Sequence, residues 1–328
     1  LAEEVLHLLT NIGDLRVASR TAAFSLDTTD LSMRDVGQRL GVCNILEGSI
    51  RREGDKLRIT AQLIDTETGY HEWSDTYDRQ IEDIFNVYDE IASAVVRALK
   101  ITLTEDVAQR LASRPTESIE AYDHYLQARS MLARADDEGR FQRASHFFSR
   151  AVETDPEFAR AWAGRCESEL GVYRFSREVD RIQQAETYCR EALSLDPDLV
   201  EVRIALAELY RISGQLDRAD EEIQLALEGY PADPDVFRAL GWIRADQDDI
   251  GAAVRAYRRS IELAPEDVRA YQDLGRLLFS VGQYEASAEI YRDMVDATAG
   301  SAAAYNGLGT ALVILADFDE SSAAFREV

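Results

Sequence analysis

The sequence predicts an α+β chain: a small α/β sheet domain, then an all-α array of helical pairs. Two observations predict it. In the first hundred residues, Leu57, Ile59, Ala61 and Leu63 alternate with Arg58, Thr60 and Gln62, the two-residue period of a strand. Over the last four units, from about residue 201 onward, small, aromatic and proline positions return every 34 residues, and two longer units carry the pattern back to about residue 118, which marks a stacked repeat. The 328 residues suffice for two domains.

The elements follow in order. "LAEEVLHLL" opens in mid-helix, with Leu1, Val5, Leu8 and Ile12 on one face. The chain therefore reads as a piece of a longer protein, with a sheet edge expected to stay open to another strand. "LRVASR", Leu15–Arg20, reads as a strand. Ser32 can cap a short helix carrying Met33, Val36 and Leu40, closed by Gly41. "CNILEGSIRREGDKLRITAQLID" reads as a β-hairpin turning at Glu53-Gly54-Asp55, and "GYHEWSDTYDR" adds a short strand. A long amphipathic helix follows, with Ile84, Phe85, Tyr88, Ile91, Val95 and Leu99 on one face.

The repeats are clearest from Asp235. Phe237, Leu240, Gly241, Ala253 and Tyr257 return as Tyr271, Leu274, Gly275, Ser287 and Tyr291. They return again as Tyr305, Leu308, Gly309, Ser321 and Phe325; upstream, Leu206, Ala207, Ala219, Ile223 and Pro231 hold the same register. Two longer units precede these, ending in Ala185, Cys189, Ala192, Pro197 and in Ala144, Phe148, Ala151, Pro156. Their extra residues, Val172–Asp180 and Asp136–Gly139, are charged and read as loops. Each unit reads as two helices, with the small residue allowing close approach and the proline stopping the second helix. One pair cannot bury its apolar face alone, so neighbours must stack.

This spacing resembles the tetratricopeptide repeat, over about two thirds of the chain. The resemblance implies a superhelix whose groove, lined by first helices, binds a peptide or protein partner. Arg165 and Glu169 depart from the pattern, standing where apolar residues are usual. "GVCNILEGSIRREGDKLRITAQLIDTETGYHEWSDTYDR" is similar to the amino-terminal-like domain of TolB. That resemblance implies a bacterial protein with an adenylate cyclase, kinase or winged-helix domain upstream. The expected organisation is a TolB-like α/β domain over residues 1–104, a linker over 105–117 and about six repeats over 118–328, the last one cut short.

Composition narrows the function. A net charge of −25 argues against sequence-independent binding of nucleic acid. No run of 18 apolar residues marks a membrane span. Three cysteines, Cys43, Cys166 and Cys189, without CxxC spacing read as neither a disulfide framework nor a zinc site, and lean towards a reducing compartment. A cytoplasmic chain is expected, with a periplasmic domain of an anchored protein as the alternative. "HEWSD" at His71 starts like a zincin motif, but Asp75 stands where the second histidine belongs. Trp73 and Tyr77 read as sheet-face aromatics. "GLG" at Gly307–Gly309 lies in a helix, not a nucleotide loop, and Arg51 and Arg52 read as a solvated tip. No catalytic group, metal or cofactor is expected.

The groove remains. By family register its first helices present Glu208 and Arg211, then Arg238, Trp242 and Ala245, Arg269, Gln272, Arg276 and Phe279, and Asn306 and Thr310. Arg238, Arg269 and Arg276 would grip an acidic or carboxylate-ended peptide, with Trp242 as apolar anchor. Gln272 and Asn306 complete the expected contact set. The competing reading has each arginine already paired with a neighbouring carboxylate. An interaction and regulatory module is expected, against an envelope scaffold or an enzyme sited in the α/β domain.

Overall fold

The computed structural model describes residues 31–54, 56–80, 84–100, 115–132, 139–265, 267–297 and 301–327, together with 5, 9, 15, 17 and 18. The chain divides into two compact units, Leu1–Arg114 and Pro115–Val328.

In the first unit, α1 spans Met33–Leu40. Ser32 accepts from the Asp35 N–H while Asp35 accepts from the Ser32 N–H, a reciprocal cap of both free donors. Gly41 ends the helix at φ 62°, a conformation that penalises any Cβ. Three antiparallel strands follow in the order β1 (Asn44–Glu53), β2 (Lys56–Asp65), β3 (His71–Gln80). The third strand is as long as the others, ten residues, where a short one was expected. It runs far because the register continues from Lys56 opposite Gln80 to Ile64 opposite His71. On β2, Leu57, Ile59, Ala61 and Leu63 are all buried, as their alternation requires. Helix α2 (Ile84–Ala98) packs on β2 and β3, burying Val87, Tyr88, Ile91 and Val95. Tyr77 is buried from β3, whereas Arg51 and Arg52 are exposed at the hairpin end. Of the expected first helix, Val5 and Leu9 are helical and buried; Leu1, Leu8 and Ile12 lie outside the described residues. Leu15, Val17 and Ala18 are not in a strand, and the rest of the strand expected at Leu15–Arg20 lies outside the described residues, as does the pairing that would decide the open edge.

The second unit is a superhelix of stacked antiparallel helix pairs: α3 (Ile119–Leu132) with α4 (Arg140–Thr154), α5 (Ala159–Ser176) with α6 (Val179–Leu195), and α7 (Val200–Ile212) with α8 (Leu216–Gly229). They continue as α9 (Pro234–Asp246) with α10 (Ile250–Leu263), α11 (Val268–Ser280) with α12 (Tyr284–Ala297), and α13 (Ala302–Ile314) with α14 (Phe318–Arg326). Asp233, Asp249, Asp267, Ser301 and Asp317 cap five of these helices through their side chains. A Cβ on Gly241 would collide with the Tyr257 ring, so the residue is small because the aromatic occupies its side-chain space. Where alanine gives way to serine, the hydroxyl bonds the facing helix: Ser287 Oγ donates to Gly275 O and Ser321 Oγ to Gly309 O.

Two expectations are corrected in the second pair. The residues Val172–Asp180 are not a loop. They lengthen α5 to 18 residues and α6 to 17, against 13 and 14 in the next pair, and leave two residues between them. "VYRFS" has no glycine or proline to stop α5, which ends only at Arg177, in the left-handed conformation at φ 58°. The matching insertion in the first pair falls largely outside the described residues; Gly139 immediately precedes α4. The second correction concerns Cys166 and Cys189, which form a buried disulfide with Cα atoms 5.3 Å apart, leaving Cys43 free. Their separation is 23 residues, against 16 for Gly241 and Tyr257. Allowing for the seven-residue insertion, they occupy the same two facing positions. The disulfide stands where the last three pairs have a small–aromatic contact. A sequence count of cysteines is blind to this, because the insertion hides the register.

The two residues that depart from the repeat pattern are accommodated by partners. Arg165 stacks 3.8 Å over the Tyr188 ring and 5.1 Å over Trp162. Glu169, buried, accepts from Ser145 Oγ at 2.8 Å and from Arg181 Nη1 at 2.9 Å.

Candidate partner-binding site

The expected contact residues lie on three first helices, α9, α11 and α13. Four of the six meet in one network. Asp273, buried on α11, is its hub. Its Oδ2 accepts from Arg238 Nη1 at 3.2 Å and from Trp242 Nε1 at 2.8 Å, while Oδ1 accepts from Arg276 Nη2. A second carboxylate, Asp235, accepts from Arg238 Nε at 3.4 Å and is paired with Arg269 Nη2 at 3.0 Å. Arg269 Nε donates to Asp267 at 2.9 Å. Burial opposes ionisation of Asp235, but Arg269 and Arg238 outweigh it and hold its carboxyl down to about 2.

Three guanidinium charges thus face three carboxylates, and the cluster is locally neutral. The expectation of uncompensated positive charge at this place is replaced by the competing reading. Trp242 is not an open anchor either. It is half-buried, lies 4.3 Å beneath the Arg238 guanidinium and packs against the apolar clusters on both sides. Gln272, half-buried on α11, and Asn306, exposed on α13, have no bond to the network among the described residues. Arg276 is the most accessible of the arginines, its side chain 72% exposed.

The same arrangement recurs along the array. Arg129 pairs with Glu167, Arg174 with Glu208, Arg211 with Asp246 and Arg238 with Asp273. Each pair joins the first helices of adjacent repeats. The last three are 34 or 35 residues apart, one repeat length. Sequence reasoning passed over Asp235, Asp267 and Asp273, which set the electrostatics here. The signal was available: an arginine on one first helix and an acid one repeat later. Among the described residues no group of three or more His, Cys, Asp or Glu could hold a metal ion, and no helix is long and apolar enough to cross a membrane.

Comparison with known proteins places this array. The tetratricopeptide-repeat family matches residues 177–243, 238–302 and 273–328. A protein of Rhizobium meliloti (strain 1021) named "Putative adenylate cyclase 3" is 32% identical over 225 residues, 67% of this chain. The chain spans 38% of that relative's length. Among solved structures, a thermophilic tetratricopeptide-repeat protein of Thermus thermophilus superposes with a TM-score of 0.51 at 16% identity, over 59% of this chain and 99% of its own. A monomeric mutant of IFIT1 with Gppp-AAAA superposes with a TM-score of 0.52 at 15% identity, over 74% of this chain and 55% of its own. The helical unit is built of tetratricopeptide repeats, and as such it is a scaffold for protein–protein contact.

Proposed function

We propose that this tetratricopeptide-repeat chain is a non-catalytic interaction and regulatory module of a larger bacterial signalling protein. The repeats would engage a peptide or protein partner along their first helices. Arg238, Trp242, Arg269, Gln272, Arg276 and Asn306 are the positions proposed to meet it. The observation that carries the reading is the ladder of first helices from α3 to α11, each tied to the next by arginine–carboxylate pairs. It holds a row of polar and aromatic side chains in fixed register, the pre-organisation that lowers the cost of binding. The relative named as an adenylate cyclase, of which the chain spans 38%, supports a place beside a signalling domain. The net charge of −25 keeps nucleic acid out of the proposal.

The test is site-specific photo-crosslinking in the cell of origin, with the probe at Asn306 or Gln272 and a control at Leu225, exposed on the second helix α8. Capture of one protein from both first-helix positions and not from Leu225 is expected. Equal capture from Leu225, or none from either first-helix position, would reject the reading.

One observation favours a second reading for the compartment. The Cys166–Cys189 disulfide suits an oxidising space and so a periplasmic domain of an anchored protein, over the cytoplasm. Alkylation under denaturing conditions after rapid acid quenching of intact cells decides it: alkylated cysteines at 166 and 189 place the chain in the cytoplasm, none places it outside.

A further inference from the structure

The lengthened second pair builds a feature that the four repeats after it lack. Its tip carries Tyr173, Arg174, Phe175 and Arg177, followed by Val179 at the start of α6. Between this tip and the C-terminal ends of α7 and α9 lies a cavity of about 420 Å³, lined by Tyr173, Arg174, Arg177, Arg211, Ile212 and Asp246. Three of its six lining residues are arginines. Arg174 spends Nε and Nη2 on one oxygen of Glu208. Arg211 gives Nη1 to Asp246 at 2.7 Å, while its Nε is buried with no hydrogen-bond partner. Arg177 is exposed, lies 5.7 Å over the Tyr173 ring and pairs with no carboxylate among the described residues. The balance differs from that around Asp273. Among the residues that line the cavity and their direct partners, three guanidiniums meet Glu208 and Asp246, while Glu178, next to Arg177, is taken up by Arg181. Beside Arg177, Phe175 and Val179 are 57% and 68% exposed, large apolar side chains turned to water.

We propose that this tip is a docking site for an acidic peptide segment bearing an apolar side chain, its carboxylate entering the cavity between Arg177 and Arg211. The inference rests on the reading of the repeats as a partner-binding scaffold and moves anion recognition from Arg238, Arg269 and Arg276 to the α5–α6 tip. A carboxylate there meets the exposed guanidinium fork of Arg177, which is unpaired among the described residues and takes both of its oxygens, beside the positive charge of Arg211. The rest of the chain is strongly acidic, but charges more than about 10 Å away are screened at ordinary ionic strength. The local excess governs close contact, and the wider field selects against loosely held acidic chains. Phe175 and Val179 supply the apolar area that exposed ion pairs by themselves do not.

The experiment titrates the full chain with a labelled peptide of alternating Glu and Phe, and with its Gln and Phe counterpart. The proteins are wild type, Arg177→Gln, Arg276→Gln and, as the control, Arg259→Gln on the second helix α10. Glutamine at 177 bears the same left-handed backbone as arginine, and equal helical circular dichroism checks folding. Expected are binding of the Glu peptide only, about tenfold weaker binding by Arg177→Gln, and no change with Arg259→Gln. Equal affinity of wild type and Arg177→Gln, or loss confined to Arg276→Gln, overturns the tip and leaves the scaffold reading standing. If wild type fails to bind the Glu peptide while Asn306 still crosslinks a partner, the tip inference fails alone. If both fail, the scaffold reading fails with it.

Discussion

Asp273 is the residue on which most of the polar order around α9 and α11 depends. It accepts from Arg238, Trp242 and Arg276 while itself 8% exposed. Asp273→Ala strands those donors in a half-buried setting, and a loss of about 3 kcal/mol is expected in urea unfolding. A loss under about 1 kcal/mol would mean that water replaces the carboxylate. Asp235 makes a pH-dependent contribution. Its carboxyl is held at about 2, below the ordinary 3.8, by Arg269 and Arg238 against the cost of burial. A depressed carboxylate stabilises the fold above its unfolded value and ceases to do so as pH falls through its folded one. The Tm gap between wild type and Asp235→Asn should close as pH falls from 3.8 towards 2, a window below the one in which neighbouring Asp233, pushed up to about 7 by burial and by Asp235, ionises. A gap that is constant across that window would show that the pairing is not felt as charge.

At the scale of the element, the helix pair is set by one contact repeated with different chemistry. Gly241 faces Tyr257, Gly275 faces Tyr291 and Gly309 faces Phe325, and the disulfide takes their place in the second pair. Gly241→Ala adds a methyl where the Tyr257 ring lies. Alanine favours a helix by about 1 kcal/mol, but the overpacking costs about 1–3 kcal/mol, so calorimetry should show a lower Tm. A higher Tm would show that the ring swings aside freely. In the second pair, thiol titration of the oxidised, unfolded chain should find one free cysteine, Cys43. Reduction should remove about 3 kcal/mol, the typical effect of opening a loop of this size. Finding three free thiols would remove the bond.

Across the whole molecule, the helical unit is a linear stack in which each pair touches its neighbours. Stability in such an array is a sum of local and nearest-neighbour contributions. Leu308→Ala empties a buried site in the last pair and should cost about 2–5 kcal/mol there. Native-state hydrogen exchange should accelerate in α13 and α14 and remain unchanged in α5 to α8. Uniform acceleration would mean that the unit unfolds as one cooperative body.

By itself the sequence determined the repeat period, the Ser32 and Gly41 caps, the buried alternation on β2 and the small and aromatic positions that face each other in the last three pairs. These are local or periodic properties, carried by residue type at fixed spacing. The contact set was legible only as positions on first helices. Whether Arg238, Arg269 and Arg276 are free or paired depends on Asp235, Asp267 and Asp273, and two of the linking contacts cross from one repeat to the next. The tertiary structure alone decided that balance. It also decided that a seven-residue insertion lengthens two helices instead of forming a loop, and that Cys166 meets Cys189. Each of these outcomes is fixed by groups far apart in the chain that only the stacking of helices brings within bonding distance.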